Sequence, residues 1–442
     1  MTDEINRNTG GKQGGKIFGF LFAKMMDVMA EEMERDESSG VNCGALKIAL
    51  LEWVDDVTTF AIGSEQQQCT LAQVNEFAVK HKLKWGREKC NVMPVGSGKY
   101  VQREWNLGKM KIDTCTEYKY LGDWIMRNGG NKKNIEEREN KTMAATRRII
   151  GLCRTDIIKK IQMRALLKLH ETCTMAGLLS NCETWTLNQG EREKIQRIEL
   201  WALKKLMNLP VTTPSPAIWY STGILMTPIL IDKRQLNYLK TLLDRPENDW
   251  TKQMLLVLKE NEIGWAAQMN KTLERYGLEM NWGKIREMTV ISWKAEVTTK
   301  TEEKHKEILL QMCHGRNGEK TKTKMIIERL KSDNYSRRPL SSVMNGCILR
   351  TRTVVMSMFG MLKCTNNFKS GLGRAECTNC KVIDDEDHRI NSCYLYRDLN
   401  LYFSPIKYDF QSIFLDDDDA INRTLEVVGH LWNLENGENE MK

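Results

Sequence analysis

Two adjacent aspartates, Asp55 and Asp56, lie in LLEWVDDVTTFAIG (Leu50–Gly63), a run otherwise apolar and rich in strand-forming residues. Neighbouring carboxylates repel, and burying either one unpaired is costly. Successive strand residues point to opposite faces, so the pair converges only at the tip of a hairpin. Aspartate tolerates the turn conformations required there. Two carboxylates at such a tip offer hard oxygen ligands to Mg²⁺, which stays partly hydrated and also takes substrate phosphate oxygens. Taken alone, the same residues fit a surface turn that binds nothing.

A second set is soft. ECTNCKVIDDEDHRINSC (Glu376–Cys393) spaces Cys377-x2-Cys380-x7-His388-x4-Cys393. Three thiolates and one imidazole, with a tight Cys-x-x-Cys turn, match a closed tetrahedral zinc site. The acidic run 384–387 shifts any nucleic-acid contact to the flanking Arg374, Lys381, Arg389 and Arg397. Cys313 and His314 have no partners at ligand spacing and read as structural.

Weaker signals lie between. GGKQGGKIFGFLF (Gly10–Phe22) sets Gln13, Gly14 and Gly15 before an amphipathic helix. Glycines admit close backbone approach, and a helix N-terminus favours phosphate. LKWGREKCNVM (Leu83–Met93) places Lys89 after a helix, and YKYLG (Tyr118–Gly122) follows.

The elements that must position these groups fall into three zones. To about Trp124, helices mix with short strands. Phe22, Met25, Met26, Met29 and Met33 form one helical stripe, and ALKIALLEWV and VTTFAIG read as two strands meeting at the aspartates. Thr70–Leu83 reads as a helix with Thr70 as its N-cap, and Glu117–Gly130 as a strand and turn ended by Asn-Gly-Gly. The second zone, about 131–245, is helical. Ile195, Ile198, Ala202 and Leu206 share a face there, Pro210 closes the helix, and Pro214, Pro216 and Pro228 mark a connector. From Pro246 the chain is charged and helical to about Leu330, then cysteine-bearing. No internal repeat is present.

Composition places the chain among folded proteins of two or three domains: 442 residues, 28% charged and 41% hydrophobic. Net charge is +8, a mild bias toward polyanions, and Lys132–Lys205 holds 16 Lys/Arg against 9 Asp/Glu. Thirteen scattered cysteines suit a reducing compartment. No apolar run approaches the roughly 18 residues of a membrane span. The short KIFGFLFAK run has no cleavage pattern after it, so a signal peptide is not expected.

In order and spacing, GKQGGKIFGFLF, WVDDV, LKWGREKCNVM, YKYLG, CETWTL (Cys182–Leu187) and the Cys/His cluster resemble the reverse transcriptases of non-LTR (LINE-type) retrotransposons. The resemblance touches most of the chain from Gly10 to Tyr396. It implies an α+β, helix-rich fold with a partial palm over 1–130 (β-hairpin plus helices), a helical thumb over 131–245 and a charged helical connector over 246–345. A zinc-knuckle region over 346–410 and a C-terminal tail over 411–442 complete it. It implies nucleotide and template contact at Gln13, Gly14 and Gly15, catalytic Mg²⁺ (or Mn²⁺) on Asp55 and Asp56, and Lys89 as proton donor to departing pyrophosphate. Tyr120, Leu121 and Gly122 would grip the primer end. Arg147, Arg148, Lys159, Lys160 and Arg164, with Lys168 nearby, would contact phosphates, and Zn²⁺ would sit on Cys377, Cys380, His388 and Cys393.

The implied partners are an RNA template, the RNA/DNA hybrid and dNTPs, with no membrane, in the nucleus or cytoplasm. Trp185 of CETWTL reads as core. Trp53-Val54 stands where the family usually has Tyr-Ala, and Phe18-Gly19 where it has Ser-Pro. The family's further palm aspartate would precede the glycine motif by several tens of residues, and Met1 lies about ten before it. The expectation is therefore an N-terminally truncated enzyme, with nucleotidyl transfer weak or absent here. The alternative is a non-catalytic nucleic-acid-binding relic that keeps the zinc knuckle.

Overall fold

The computed structural model describes residues 17–44, 46–96, 103–153 and 162–314, with single positions between 327 and 393. The architecture is helix-rich α+β with several small sheets. The chain divides into two compact units, each built from two separate stretches. The first comprises the described residues up to Lys133 together with Thr241–Gln268; the second comprises Asn134–Lys240 and the residues from Met269 onward.

In the first unit, helix α1 (Phe18–Arg35) buries the expected stripe: Met26, Met29 and Met33 are buried, with Phe22 and Met25 packed beside them. They meet Ala49, Leu50, Val74 and Phe77 in one apolar cluster. Methionine's flexible thioether suits such an irregular seam. The stretch ALKIALLEWV, expected as one strand, is two. Strands β1 (Val41–Cys43) and β2 (Leu46–Ile48) form one antiparallel hairpin, and β3 (Leu50–Trp53) and β4 (Asp56–Thr59) form another. The break falls at Ala49, whose buried methyl joins the methionine cluster and whose carbonyl accepts from Phe60 N–H at 2.9 Å.

Helix α2 (Ser64–Lys80) starts six residues before the expected Thr70, which lies mid-helix and buried. The added turns carry three glutamines, good helix formers. One of them, Gln68, exchanges two hydrogen bonds with the backbone of Asn106, standing in for a neighbouring strand. Strands β5 (Asn91–Val92), β6 (Trp105–Leu107) and β7 (Met110–Thr114) form a three-stranded sheet in the order β5-β7-β6. The hairpin of β8 (Glu117–Tyr120) and β9 (Asp123–Met126) follows.

The second unit is helical. Helix α3 (Lys132–Cys153) buries Ile135, Arg138, Thr142, Thr146 and Ile149 along one face. Helix α4 (Met163–Leu169) runs through a π-helical turn (His170–Met175) into the short α5 (Ala176–Leu178). Helix α6 (Gln189–Leu206) opens on an Asn188/Glu191 capping box and buries Ile195, Ile198, Ala202 and Leu206 as the spacing predicts. Trp185 is buried in the same cluster, as core.

The prolines expected to mark a connector instead start helices. Pro216 lies in the first turn of α7 (Ser215–Thr222) and Pro228 in that of α8 (Thr227–Leu243). A proline there gives up an N–H that has no intrahelical acceptor. Helices α9 (Trp250–Glu260), α10 (Gly264–Tyr276), α11 (Trp282–Glu287) and α12 (Val290–His314) complete the described elements. Helix α12 buries Trp293, Val297, Thr301, His305, Leu309 and Cys313 at strict four-residue spacing, so Cys313 is structural, as expected. The buried Asp232 joins α6, α8 and α10, accepting from Arg192 at 2.7 Å, Arg275 at 2.8 Å and the Tyr276 hydroxyl at 3.1 Å. No described helix is long and apolar enough to cross a membrane.

Candidate functional site

The strands β3 and β4 bring the acidic pair to a hairpin tip. Their register pairs Leu50 with Thr59, Leu51 with Thr58, Glu52 with Val57 and Trp53 with Asp56, leaving Val54 and Asp55 as a two-residue turn. Leu50 is buried in the methionine cluster and Val57 packs against it, which fixes the register and therefore the tip. Asp55 and Asp56 are exposed, and neither forms an ion pair with a described residue. Trp53 and Val54 are exposed beside them. Val54 has φ 58°, the left-handed region, which a β-branched residue adopts only under strain.

Two other motifs belong to the same unit and are joined to each other. Lys89 ends a short 3-10 turn (Arg87–Lys89), and its carbonyl accepts from the Tyr118 hydroxyl at 2.7 Å. Burial raises the Tyr118 phenol above its ordinary value, and the Asp56 carboxylate adds to that shift. The YKYLG segment is itself a hairpin. Tyr120 pairs with Asp123, and the turn residues Leu121 (φ 46°) and Gly122 (φ 89°) are both left-handed. That is the signature of a two-residue type I′ turn, so the chain reverses here as well as at the expected Asn-Gly-Gly. Lys133 fixes the hairpin from behind, pairing with Glu117 while its ammonium lies 3.5 Å from the Trp124 ring centre. The Lys89 side chain is exposed.

Sequence reasoning missed Glu52. Burial raises its carboxyl above the ordinary value, and Asp27 and Glu34 of α1 push it further. The available signal was an acid at the alternate position from buried Leu50, on the face turned toward α1. Among the described residues no third metal-ligating side chain gathers with Asp55 and Asp56.

Of the basic residues expected to contact phosphates, Arg147 and Arg148 are exposed on α3, between buried Thr146 and Ile149, and Arg164 is exposed on α4. Lys159 and Lys160 lie outside the described residues, as do Gln13, Gly14 and Gly15.

The Cys/His set does converge. The ligand atoms of Cys377, Cys380, His388 and Cys393 all lie within 4.8 Å of one another. The Cys393 sulfur is 3.8 Å from that of Cys377 and 3.9 Å from that of Cys380. Thiolates around one zinc ion, each ~2.3 Å from it, stand about 3.8 Å apart at tetrahedral corners. A disulfide would bring two sulfurs to about 2 Å. The backbone makes the knuckle: Lys381 N–H donates to the Cys377 carbonyl at 3.0 Å, and Cys377 N–H donates to the Val382 carbonyl at 2.7 Å. Lys381 takes the left-handed conformation to close it. Cys377, His388 and Cys393 are buried. The cluster could hold a metal ion such as zinc. No model of a known protein family matches this chain, and no curated protein matches it.

Proposed function

We propose that the chain carries the palm tip, thumb and zinc knuckle of a non-LTR retrotransposon reverse transcriptase and binds an RNA template paired with DNA inside the cell, in nucleus or cytoplasm. The observation that supports this reading is that the Asp55–Asp56 tip, the Lys89 turn and the Tyr118 hairpin belong to one unit, the Tyr118 hydroxyl donating to the Lys89 carbonyl. In the reaction, Asp55 and Asp56 would be the residues to hold Mg²⁺ or Mn²⁺, which would supply positive charge to the phosphates of a dNTP. Lys89 gives a proton to pyrophosphate as it leaves, a role suited to the charge gained there. Arg147, Arg148 and Arg164 contact backbone phosphates without reading sequence.

A second reading, a nucleic-acid-binding relic without catalysis, is favoured by the ligand count. Holding two metal ions takes more anionic oxygens than two exposed aspartates supply. Primer extension on poly(rA)/oligo(dT) with Mg²⁺ or Mn²⁺ separates the two. Product from the full chain that disappears in Asp55→Asn establishes the polymerase. Hybrid binding that weakens steeply with salt, without product at high protein concentration, establishes the relic. Neither product nor salt-dependent binding defeats both.

A further inference from the structure

Within the second unit, α4, its π-helical turn and the α7–α8 segment enclose a cavity of about 820 Å³, the size of a small-molecule site. The wall is mixed, with Leu167, Met175, Ile224 and Leu225 as its apolar part. Four uncharged polar side chains, Gln162, His170, Ser221 and Thr222, share that wall, and the Thr222 hydroxyl is taken by the Ile218 carbonyl at 2.8 Å. His170 and Ser221 are buried, at 0% and 1% exposure, and neither the imidazole nitrogens nor the hydroxyl has a hydrogen-bond partner among the described residues. Three unmet polar atoms border this one chamber, and a buried polar atom left unpaired costs about 1–3 kcal/mol. His170 opens the π-helical turn, a backbone irregularity frequent at functional sites.

The mouth is cationic. Arg164, Lys168 and Arg234 line it against a single carboxylate, Glu171, and that carboxylate is taken by Lys168 at 3.2 Å. Arg234 is braced by the Leu179 carbonyl at 3.2 Å and by the Glu183 carboxylate at 3.9 Å, which hold its guanidinium in place, so Arg164 is the rim cation without a carboxylate partner among the described residues. An apolar patch, a buried imidazole and hydroxyl, and an excess of positive charge at the rim describe one ligand class.

We infer that this cavity binds a small organic anion with a ring-containing apolar body, its polar edge meeting His170 and Ser221 and its negative group meeting Arg164 and Arg234. The inference shares only Arg164 with the polymerase reading, and a test run without nucleic acid lets each stand if the other fails.

The test titrates the full chain, free of nucleic acid, with 8-anilinonaphthalene-1-sulfonate and with N-phenyl-1-naphthylamine. The second probe has the same ring skeleton without the sulfonate. Fluorescence should report one saturable site that takes the anion about tenfold more tightly than the neutral probe, the worth of one charge-assisted contact. Arg164→Gln combined with Arg234→Gln should erase that preference while retaining the neutral probe. His170→Phe should weaken both probes several-fold, and Ile224→Trp, which fills the chamber, should remove both. Arg164→Gln alone, at an exposed side chain, should lower the preference and keeps the test informative if Ile224→Trp disturbs folding. Absence of saturable binding, equal affinity for the two probes, or full binding to a folded Ile224→Trp chain would overturn the inference.

Discussion

Glu199 and His170 respond to pH in opposite senses. Burial pushes the Glu199 carboxyl up to about 7, against the Thr227 N–H that donates to it at 3.2 Å. Burial also pushes the His170 imidazole down to about 4. A carboxyl whose native pKa lies above its ordinary 4.5 favours the native state in acid. Its contribution is full below about pH 4.5 and is lost as pH rises to about 7. A histidine whose native pKa lies below 6.5 does the reverse, and stability is lost as pH falls from about 6.5 toward 4. Each effect is worth about 3 kcal/mol at the usual 1.36 kcal/mol per pH unit, so between pH 4.5 and 6.5 they largely cancel. Urea unfolding across that window should therefore be nearly flat for the native chain. Glu199→Gln should leave a chain that weakens toward acid, and His170→Phe one that strengthens; parallel profiles in both variants would refute the assignment. Glu199 was legible in principle, since it stands four residues after Ile195 on the buried face of α6. His170 was not, because its surroundings are assembled from α7 and α8.

Hairpins are where sequence spoke most clearly at the scale of elements. The Asp-Asp tip follows from the apolar, strand-forming runs on both sides of it, and the structure supplies the two-residue turn. The turn's strain is a separate matter. Val54→Gly should relieve the left-handed valine and raise the unfolding free energy by about 1 kcal/mol, read as a higher midpoint in thermal melts. An unchanged or lower midpoint would mean the turn is unstrained. The start of α2 and the helix-opening prolines were misjudged for one reason: local propensity marks a boundary, while the partner that selects it is distant. For α2 that partner is the Asn106 backbone, held by Gln68.

The Cys377–Cys393 knuckle was readable because ligand spacing is itself local. The purified chain should carry one zinc per molecule by elemental analysis, and Cys380→Ser should lose it together with protection of that segment from protease. Such sites draw on the order of 10 kcal/mol of folding energy from the ion, so a metal-free chain that resists protease there equally would count against it.

For the molecule as a whole, neither compact unit is a single continuous stretch, which no composition shift along the sequence announced. The zones read from charge and proline content are linear, whereas the units exchange segments: Thr241–Gln268 belongs with the residues up to Lys133. Contacts inside the first unit show why. The Cys43 sulfur lies 3.7 Å from that of Met254, and a side chain at Gly44 would press on Val257 at 3.1 Å, so α9 covers the β1–β2 hairpin. Gly44 (φ 62°) thus serves both the turn and the close approach of that helix. This interleaving sets an order of assembly on the ribosome. The hairpin that emerges first waits with one side bare until more than two hundred further residues have been translated, while the intervening helices are already free to condense.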